Sequence, residues 1–224
     1  MEDLLNKLHN CVEFGKTDIN SPYPPDRKGQ KGALEYTQEL LEKGASPTNI
    51  MELALIPAMN KVGRKFSENK VFVPQMLLSA KAMNVSVHLL KPYFRTGELK
   101  RKGVFIIGTV FGDLHDIGKN LVAMMVEGAG WEVVDLGVDV KPEKFTEALR
   151  QHPGAVVGLS ALLTTTMVNM KPVVDAIKAE SPATKIIVGG APLSSGYAFS
   201  IGADGYGKNP QENVLWLNAI GYAK

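Results

Sequence analysis

The sequence predicts two folded parts, a helical bundle over residues 1–96 and an α/β domain with a parallel sheet over residues 104–224. Three observations predict them. Apolar residues recur at helical spacing up to about Phe94, short β-branched runs alternate with helical segments after residue 104, and a charged, turn-like stretch (GELKRKG, 97–103) lies between as a linker. A chain of 224 residues is long enough for two domains, each with its own core.

The composition narrows the classes of protein. Hydrophobic residues make up 45% of the chain and charged residues 21%, with a net charge of +2. This charge gives no reason to expect a nucleic acid or an anionic membrane as partner, and no apolar run is long enough to span a bilayer. The N-terminus has no apolar signal core, so we expect a cytoplasmic protein. A single cysteine, Cys11, excludes an internal disulfide and a multi-cysteine zinc site.

Four helices are predicted in the first part. Their signals are an apolar face with a glycine stop (Leu4, Leu5, Leu8, Val12 and Gly15), an amphipathic run over 34–41 ending at Gly44, the N-cap pair Ser46-Pro47, and a long apolar run opened by Pro74. Pro57 predicts a kink in the third helix. A proline-rich segment, 17–29, predicts a surface loop to which the sequence assigns no role.

The second part predicts a five-stranded sheet. Short apolar runs occupy 104–110, 132–137, 155–160 and 185–190, with a short fifth strand around Gly205-Tyr206. Helical segments near 117–129, 142–151, 167–180 and 211–220 follow these runs in turn. Strictly alternating strands and helices favour a flavodoxin-like (Rossmann-like) parallel sheet with helices on both faces.

Three unusual segments follow predicted strands. They are residues 112–118 (GDLHDIG), residues 160–166 (SALLTTT) and the pair Gly189-Gly190. Because ligands bind at the carboxyl ends of strands in open parallel sheets, these segments predict a binding crevice.

Two phosphate-binding interpretations of the first segment fail. The chain has no G-x-G-x-x-G, and Gly112 and Gly118 enclose five residues where a P-loop needs four. Asn120 stands where a P-loop has Ser or Thr, and Asp113 and Asp116 would repel a phosphate.

The segment does supply a histidine with a carboxylate two residues before it. A carboxylate such as that of Asp113 can accept one imidazole N–H of His115 and leave the other nitrogen free to coordinate a metal. One histidine is too few for a structural zinc or iron site, but it suffices as an axial ligand to a metal already held by a macrocycle. His9, His88 and His152 have no such neighbours and are interpreted as ordinary polar residues.

Three motifs at these separations resemble the cobalamin-binding module of methionine synthase and of corrinoid methyl-carrier proteins. They are D-x-H-x-x-G (Asp113, His115, Gly118), S-x-L (Ser160, Leu162) and Gly189-Gly190. The resemblance implies that His115 replaces the dimethylbenzimidazole tail as the lower ligand of cobalt while the tail enters a deep slot. It also implies cobalamin, as methylcobalamin or cob(I)alamin, as the cofactor. The implied cofactor-binding residues of this domain are Gly112, Asp113, Leu114, His115, Asp116, Ile117, Gly118, Ser160, Leu162, Thr164, Thr166, Gly189 and Gly190.

Individual roles follow from the same resemblance. Thr166 would bond Asp113, Ser160 and Thr164 would contact the buried base, and the glycines would leave room for the tail. Taken alone, Gly189-Gly190 is equally typical of a tight turn.

The helical part extends the likeness, which covers about residues 30 to 215. Residues 60–66 (NKVGRKF) and 70–75 (KVFVPQ) resemble the helical cap over the methyl-bearing face of the corrin. Phe66 and Val73 match the apolar positions that touch that face, and Glu52 matches a polar contact. Phe66 alone is also compatible with a plain core residue.

The implied function is a methyl carrier. Such a protein shuttles a methyl group on cobalt between a substrate-specific methyltransferase and an acceptor methyltransferase that uses tetrahydrofolate or a thiol coenzyme, with a reductive activating protein as a further partner. The chain shows no catalytic residues of its own, and the donor, whether methanol, a methylamine, betaine or a methoxyarene, is left open. Three alternatives are a cobalamin sensor, which needs an output domain, the cobalamin subunit of an adenosylcobalamin-dependent mutase, which lacks this cap, and a storage protein.

Overall fold

The computed structural model describes residues 1–96 and 100–221, which form two compact units. One unit comprises Met1–Arg101 with Gly128–Gly130, and the other comprises Lys102–Glu127 with the chain from Trp131 onward. Residues 97–99 of the predicted linker lie outside the described residues. Within the described residues, no helix combines the length and the apolar character that crossing a bilayer requires.

The first unit is a four-helix bundle, as predicted. Its elements are α1 (Glu2–Glu13), a short 3₁₀ turn (Pro25–Arg27), α2 (Ala33–Glu42), α3 (Pro47–Ile50) continuing through a π-helical segment (Met51–Leu55) into α4 (Ile56–Ser67), and α5 (Val73–Thr96). Helix α1 packs against α2, α4 and α5, and α2 also packs against α5. The predicted apolar face of α1 is buried. Burial of such faces stabilises the bundle.

The third helix begins as predicted and continues past its proline. The Ser46 hydroxyl accepts the N–H of Asn49 at 3.1 Å, and Pro47 occupies the first helical position. Pro57 ends no helix, because the π-helical segment lies immediately before it. A proline ring collides with the carbonyl four residues earlier in a regular α-helix, and the wider π turn makes room for it.

The proline-rich segment is joined to the bundle at a narrow neck. The Glu35 carboxylate accepts the N–H of Ile19 at 3.0 Å and the N–H of Gly32 at 2.8 Å, so one side chain holds both ends of the segment. At the same place the Ala33 N–H donates to the Lys16 carbonyl at 3.0 Å. The segment is therefore a loop with a fixed base.

The second unit contains a five-stranded, all-parallel sheet in the order β2-β1-β3-β4-β5, which confirms the flavodoxin-like prediction. The strands are β1 (Val104–Thr109), β2 (Glu132–Asp135), β3 (Val156–Ser160), β4 (Ile186–Gly189) and β5 (Gly205–Gly207). Strands β1, β3 and β4 are almost wholly buried. Burial on both faces explains their continuous apolar runs.

Six helices accompany the strands between residues 102 and 221, the described part of this unit. They are α6 (Ile117–Gly128), α7 (Pro142–Gln151), α8 (Thr164–Met167), α9 (Met170–Glu180), α10 (Ser195–Ser200) and α11 (Pro210–Gly221). The sequence predicted one helix where α8 and α9 lie, and it did not predict α10. Pro172 is the third residue of α9, where its missing N–H would have no partner inside the helix, so the chain accommodates it by starting a new helix.

Candidate functional site at the carboxyl ends of the strands

The loop after β1 folds its aspartate inward. Gly112 adopts φ +80°, a conformation that glycine accepts without strain. The next residue, Asp113, is fully buried. A buried carboxylate needs hydrogen-bond donors, and the neighbouring segments supply them.

Four donors reach the Asp113 carboxylate. Oδ1 accepts the backbone N–H of His115 at 3.0 Å and lies 2.8 Å from Nδ1 of the His115 ring. Oδ2 accepts the backbone N–H of Leu162 at 2.8 Å and the hydroxyl of Thr166 at 2.6 Å. The loops after β1 and β3 are thus joined through one side chain.

These donors keep Asp113 ionised. Burial alone would raise the pKa of Asp113, but the hydrogen bonds from Thr166, Leu162 and His115 outweigh it and hold the pKa well below its usual range. An ionised carboxylate only accepts hydrogen bonds, so Nδ1 of His115 carries the proton of this contact. The His115 side chain is 51% exposed, and its Nε2 is left to bind a metal.

Three further residues hold the same loop, and sequence reasoning missed them. The Thr109 hydroxyl donates to the His115 carbonyl at 3.0 Å. Asp139 accepts the Gly112 N–H at 2.7 Å, and the Asn169 amide donates to the carbonyl just before Gly112 at 2.8 Å. A positive φ at the non-glycine Asp139 marks the constraint in the structure, but the sequence carries no local signal for any of the three.

A cavity of about 660 Å³ opens beside His115. Residues of β1, β3, β4, β5 and α6 line it, which places it on one face of the sheet at the carboxyl ends of the strands. The predicted site residues among its lining are Leu114, His115, Asp116, Ile117, Gly118, Ser160, Leu162, Gly189 and Gly190. The lining does not include Gly112, Asp113 or Thr166. Asp113 instead holds the lining residues His115 and Leu162 by hydrogen bonds, and Thr166 donates to Asp113. Thr164 is exposed on α8 and does not line the cavity, so its contact with a base stays a prediction.

The mouth of the cavity carries exposed apolar side chains. Leu114 is 72% exposed, Ile117 71% and Leu162 44%. Apolar side chains clustered around a cavity are typical of a surface that a ligand covers.

Glycines shape the opposite wall. Gly190 has φ +140°, and a Cβ there would lie 1.8 Å from the Ala161 carbonyl oxygen. A Cβ at Gly189 would lie 3.0 Å from the Gly207 carbonyl oxygen. Close backbone approach therefore excludes a side chain at Gly190 and leaves little room for one at Gly189.

The predicted site residues of the bundle lie in its own unit. Glu52 is exposed in the π-helical segment, Phe66 is half-buried near the end of α4, and Val73 is half-buried at the start of α5. Their contact with a corrin stays a prediction from the resemblance.

The candidate metal ligand of this site is a single imidazole, that of His115. Across residues 1–96 and 100–221, no group of three or more His, Cys, Asp or Glu side chains is arranged to hold a metal ion. A lone histidine therefore fits a metal whose other positions belong to a macrocycle.

Comparison with known proteins identifies the family. A model described as the B12 binding domain matches residues 103–215, and a second model with the same description matches residues 30–91. A dimethylamine corrinoid protein of Methanosarcina acetivorans is 40% identical over 95% of this chain and 94% of its own length. A trimethylamine corrinoid protein of the same organism is 38% identical over 84% of this chain and 89% of its own length.

Two solved structures agree. The methanol:cobalamin methyltransferase complex MtaBC of Methanosarcina barkeri contains a chain with a TM-score of 0.82 and 27% identity, covering 99% of this chain and 81% of that one. A cobalamin-binding protein of Desulfitobacterium hafniense gives a TM-score of 0.73 and 27% identity, covering 97% of each chain. The cofactor is a corrinoid, and the chain belongs to the family of corrinoid proteins with B12-binding domains.

Proposed function

We propose that this protein carries a methyl group on a bound corrinoid from a substrate-specific methyltransferase to a second, acceptor methyltransferase. The observation that carries the proposal is the buried Asp113 carboxylate fixing a half-exposed His115 at the mouth of a large, glycine-walled cavity. When bound, the corrinoid supplies a cobalt centre that accepts and releases the methyl group.

The residues present fit such a cofactor. Nε2 of His115 would bind the cobalt, and Asp113 would keep the ring in the matching tautomer. The cavity, with Gly189 and Gly190 in its wall, would take the nucleotide tail. The exposed Leu114, Ile117 and Leu162 would face the corrin ring.

The remaining roles lie with residues of the bundle and with partners. We propose that Glu52, Phe66 and Val73 form a cap that excludes water from the methyl-bearing face. The relatives named for dimethylamine and trimethylamine support a methylamine as donor, activated on the partner enzyme. The acceptor, tetrahydrofolate or a thiol coenzyme, and a reductive activating protein would be met in the cytoplasm, a location that rests on sequence alone.

An anaerobic absorption titration with hydroxocobalamin tests the central assignment. The protein should bind it with the base displaced and a histidine on cobalt, and His115→Ala should lose that spectrum and retain cobalamin more weakly. His152→Ala is the matched control, because His152 does not line the cavity. An unchanged spectrum in His115→Ala would refute the ligand assignment.

A further inference from the structure

The deep wall of the cavity is apolar. Phe105 and Ile107 of β1, Ile187 of β4 and Leu121 of α6 line it. Each of these side chains is at most 6% exposed. A group that enters this part of the cavity leaves water behind and meets hydrocarbon.

Most polar side chains of the lining have a partner within the protein. The Tyr206 hydroxyl and the Asn213 amide each donate to a backbone carbonyl, at 3.0 and 2.9 Å. The ammonium of the buried Lys119 lies 2.5 Å from Asp135. The remaining polar side chains in the described lining are exposed or paired, except for the half-buried Ser160 at the end of β3.

These lining side chains favour one class of nucleotide base. Benzimidazole has one ring nitrogen free besides the glycosidic one, and Ser160 offers one hydroxyl. Adenine adds an amino group and further ring nitrogens, which would be buried without partners against Phe105, Ile107 and Ile187. Polar groups buried without partners weaken binding strongly, whereas apolar ring atoms suit this wall.

We infer that the cavity selects corrinoids whose nucleotide carries a benzimidazole over those whose nucleotide carries adenine. The inference rests on the proposed function, in which the nucleotide tail occupies the cavity. It adds a base specificity, which the side chains of Phe105, Ile107 and Ile187 set because they carry no polar atoms.

Equilibrium titration of the full chain with three corrinoids tests the selectivity without any activity measurement. The probes are 5,6-dimethylbenzimidazolyl cobamide, adeninyl cobamide and cobinamide, which has no nucleotide. Adeninyl cobamide should bind at least about tenfold more weakly than the benzimidazolyl form, because one unpaired polar group already has an effect of that size.

A pair of variants on one strand links the selectivity to the cavity wall. Ile187→Thr adds a hydroxyl inside the cavity and should narrow the affinity ratio about threefold or more. Ile186→Thr makes the same change on the other face of β4, where Ile186 belongs to a separate apolar cluster, and should leave the ratio unchanged.

Failure of the base selectivity can be distinguished from failure of the proposed function. Equal affinities for the two cobamides would overturn the selectivity while corrinoid binding stands. Binding of cobinamide as tight as that of the benzimidazolyl form would also overturn it, because the tail would then contribute nothing. Failure of all three corrinoids to bind would overturn the proposed function as well.

Discussion

The bundle and the sheet each bury a carboxylate, and they hold it in different ways. In the bundle, Glu13 is paired with two ammonium groups, Lys61 at 2.8 Å and Lys65 at 2.7 Å, whose side chains are 43% and 34% exposed. In the α/β unit, Asp113 accepts hydrogen bonds from backbone N–H groups, a hydroxyl and an imidazole, all within the protein.

The difference shows what each carboxylate can do. Lysine side chains are long and flexible, so the Glu13 pairs tie α1 to α4 without demanding one geometry. Backbone N–H groups have fixed positions, so the donors around Asp113 define the orientation of the His115 ring. We conclude that the bundle uses its buried charge for cohesion, whereas the α/β unit uses its buried charge to orient a ligand.

The largest expected effect concerns Gly190, directly after β4 at the carboxyl end of the strands, and Gly15 is compared with it in the bundle. Gly190→Ala should lower the free energy of unfolding by about 4 kcal/mol, because the new Cβ would meet the Ala161 carbonyl at 1.8 Å. Gly15→Ala in the bundle, where the nearest atom is the Leu78 Cβ at 2.7 Å, should cost about 2–3 kcal/mol. Urea unfolding measures both, with Gly154→Ala as the control, because Gly154 also has a positive φ but open space where a Cβ would project. Equal losses at all three positions would show that the close contacts at Gly190 and Gly15 do not determine the loss of stability.

Asp113→Asn should be the next most severe change. It turns one acceptor oxygen into an amide that faces N–H or O–H donors, and we expect a loss of about 3 kcal/mol in the free energy of unfolding. The loss should depend little on salt, since three of the four donors are backbone N–H groups and a hydroxyl. Asp116→Asn, at an exposed carboxylate, is the control. A loss below about 1 kcal/mol would contradict the network described for Asp113.

Glu13→Gln should cost less, about 2 kcal/mol, because its lysine partners are partly solvated. In contrast to Asp113→Asn, this loss should shrink when unfolding is measured in 1 M rather than 0.1 M salt, concentrations at which the screening lengths are about 3 and 10 Å. A loss that is independent of salt would show that the two carboxylates are held alike.

Acidification should also reduce the stability that the pairs of Glu13 with Lys61 and Lys65 contribute. Burial would raise the pKa of Glu13, but the hydrogen bonds and charges of Lys61 and Lys65 outweigh it and lower the pKa from 4.5. A carboxyl whose folded pKa is lowered stabilises the fold fully above its unfolded pKa and loses this effect as the pH falls through the folded value. The stability gap between the wild type and Glu13→Gln should therefore be present above pH 4.5 and close on acidification below it. A gap that widens in acid would contradict the lowered pKa of Glu13 in the folded protein.

The smallest effect tests one donor of the Asp113 network. Thr166→Val removes the hydroxyl that lies 2.6 Å from Oδ2 of Asp113, and we expect a loss of about 1–2 kcal/mol. Thr164→Val, two residues earlier at an exposed position of the same helix, should change the free energy of unfolding by less than about 0.5 kcal/mol. Equal effects of the two substitutions would mean that the hydroxyl of Thr166 contributes nothing specific.

The sequence was sufficient for the sheet because its patterns are local. Each predicted strand lies within two residues of the observed one, and the spacing of Asp113, His115 and Thr166 fits one hydrogen-bonded group. The apolar runs and the order of strand and helix are properties of neighbouring residues.

The missed parts depend on contacts between distant segments. Asp139 bonds a residue 27 positions away, and Asn169 bonds one 58 positions away, each through a single side chain that has no motif. The break between α8 and α9 and the π turn before Pro57 are likewise responses of the backbone to its surroundings, which residue propensities do not contain.

The neck at Glu35 has a consequence for how this chain can change. Because Glu35 fixes Ile19 and Gly32 directly, the intervening loop can vary in length without shifting the register of α1 or α2. Gly29 is exposed, with no atom within 4 Å of where a side chain would project. This makes the tip of the loop a natural place for insertions during evolution, and for attaching a fluorophore or an affinity tag.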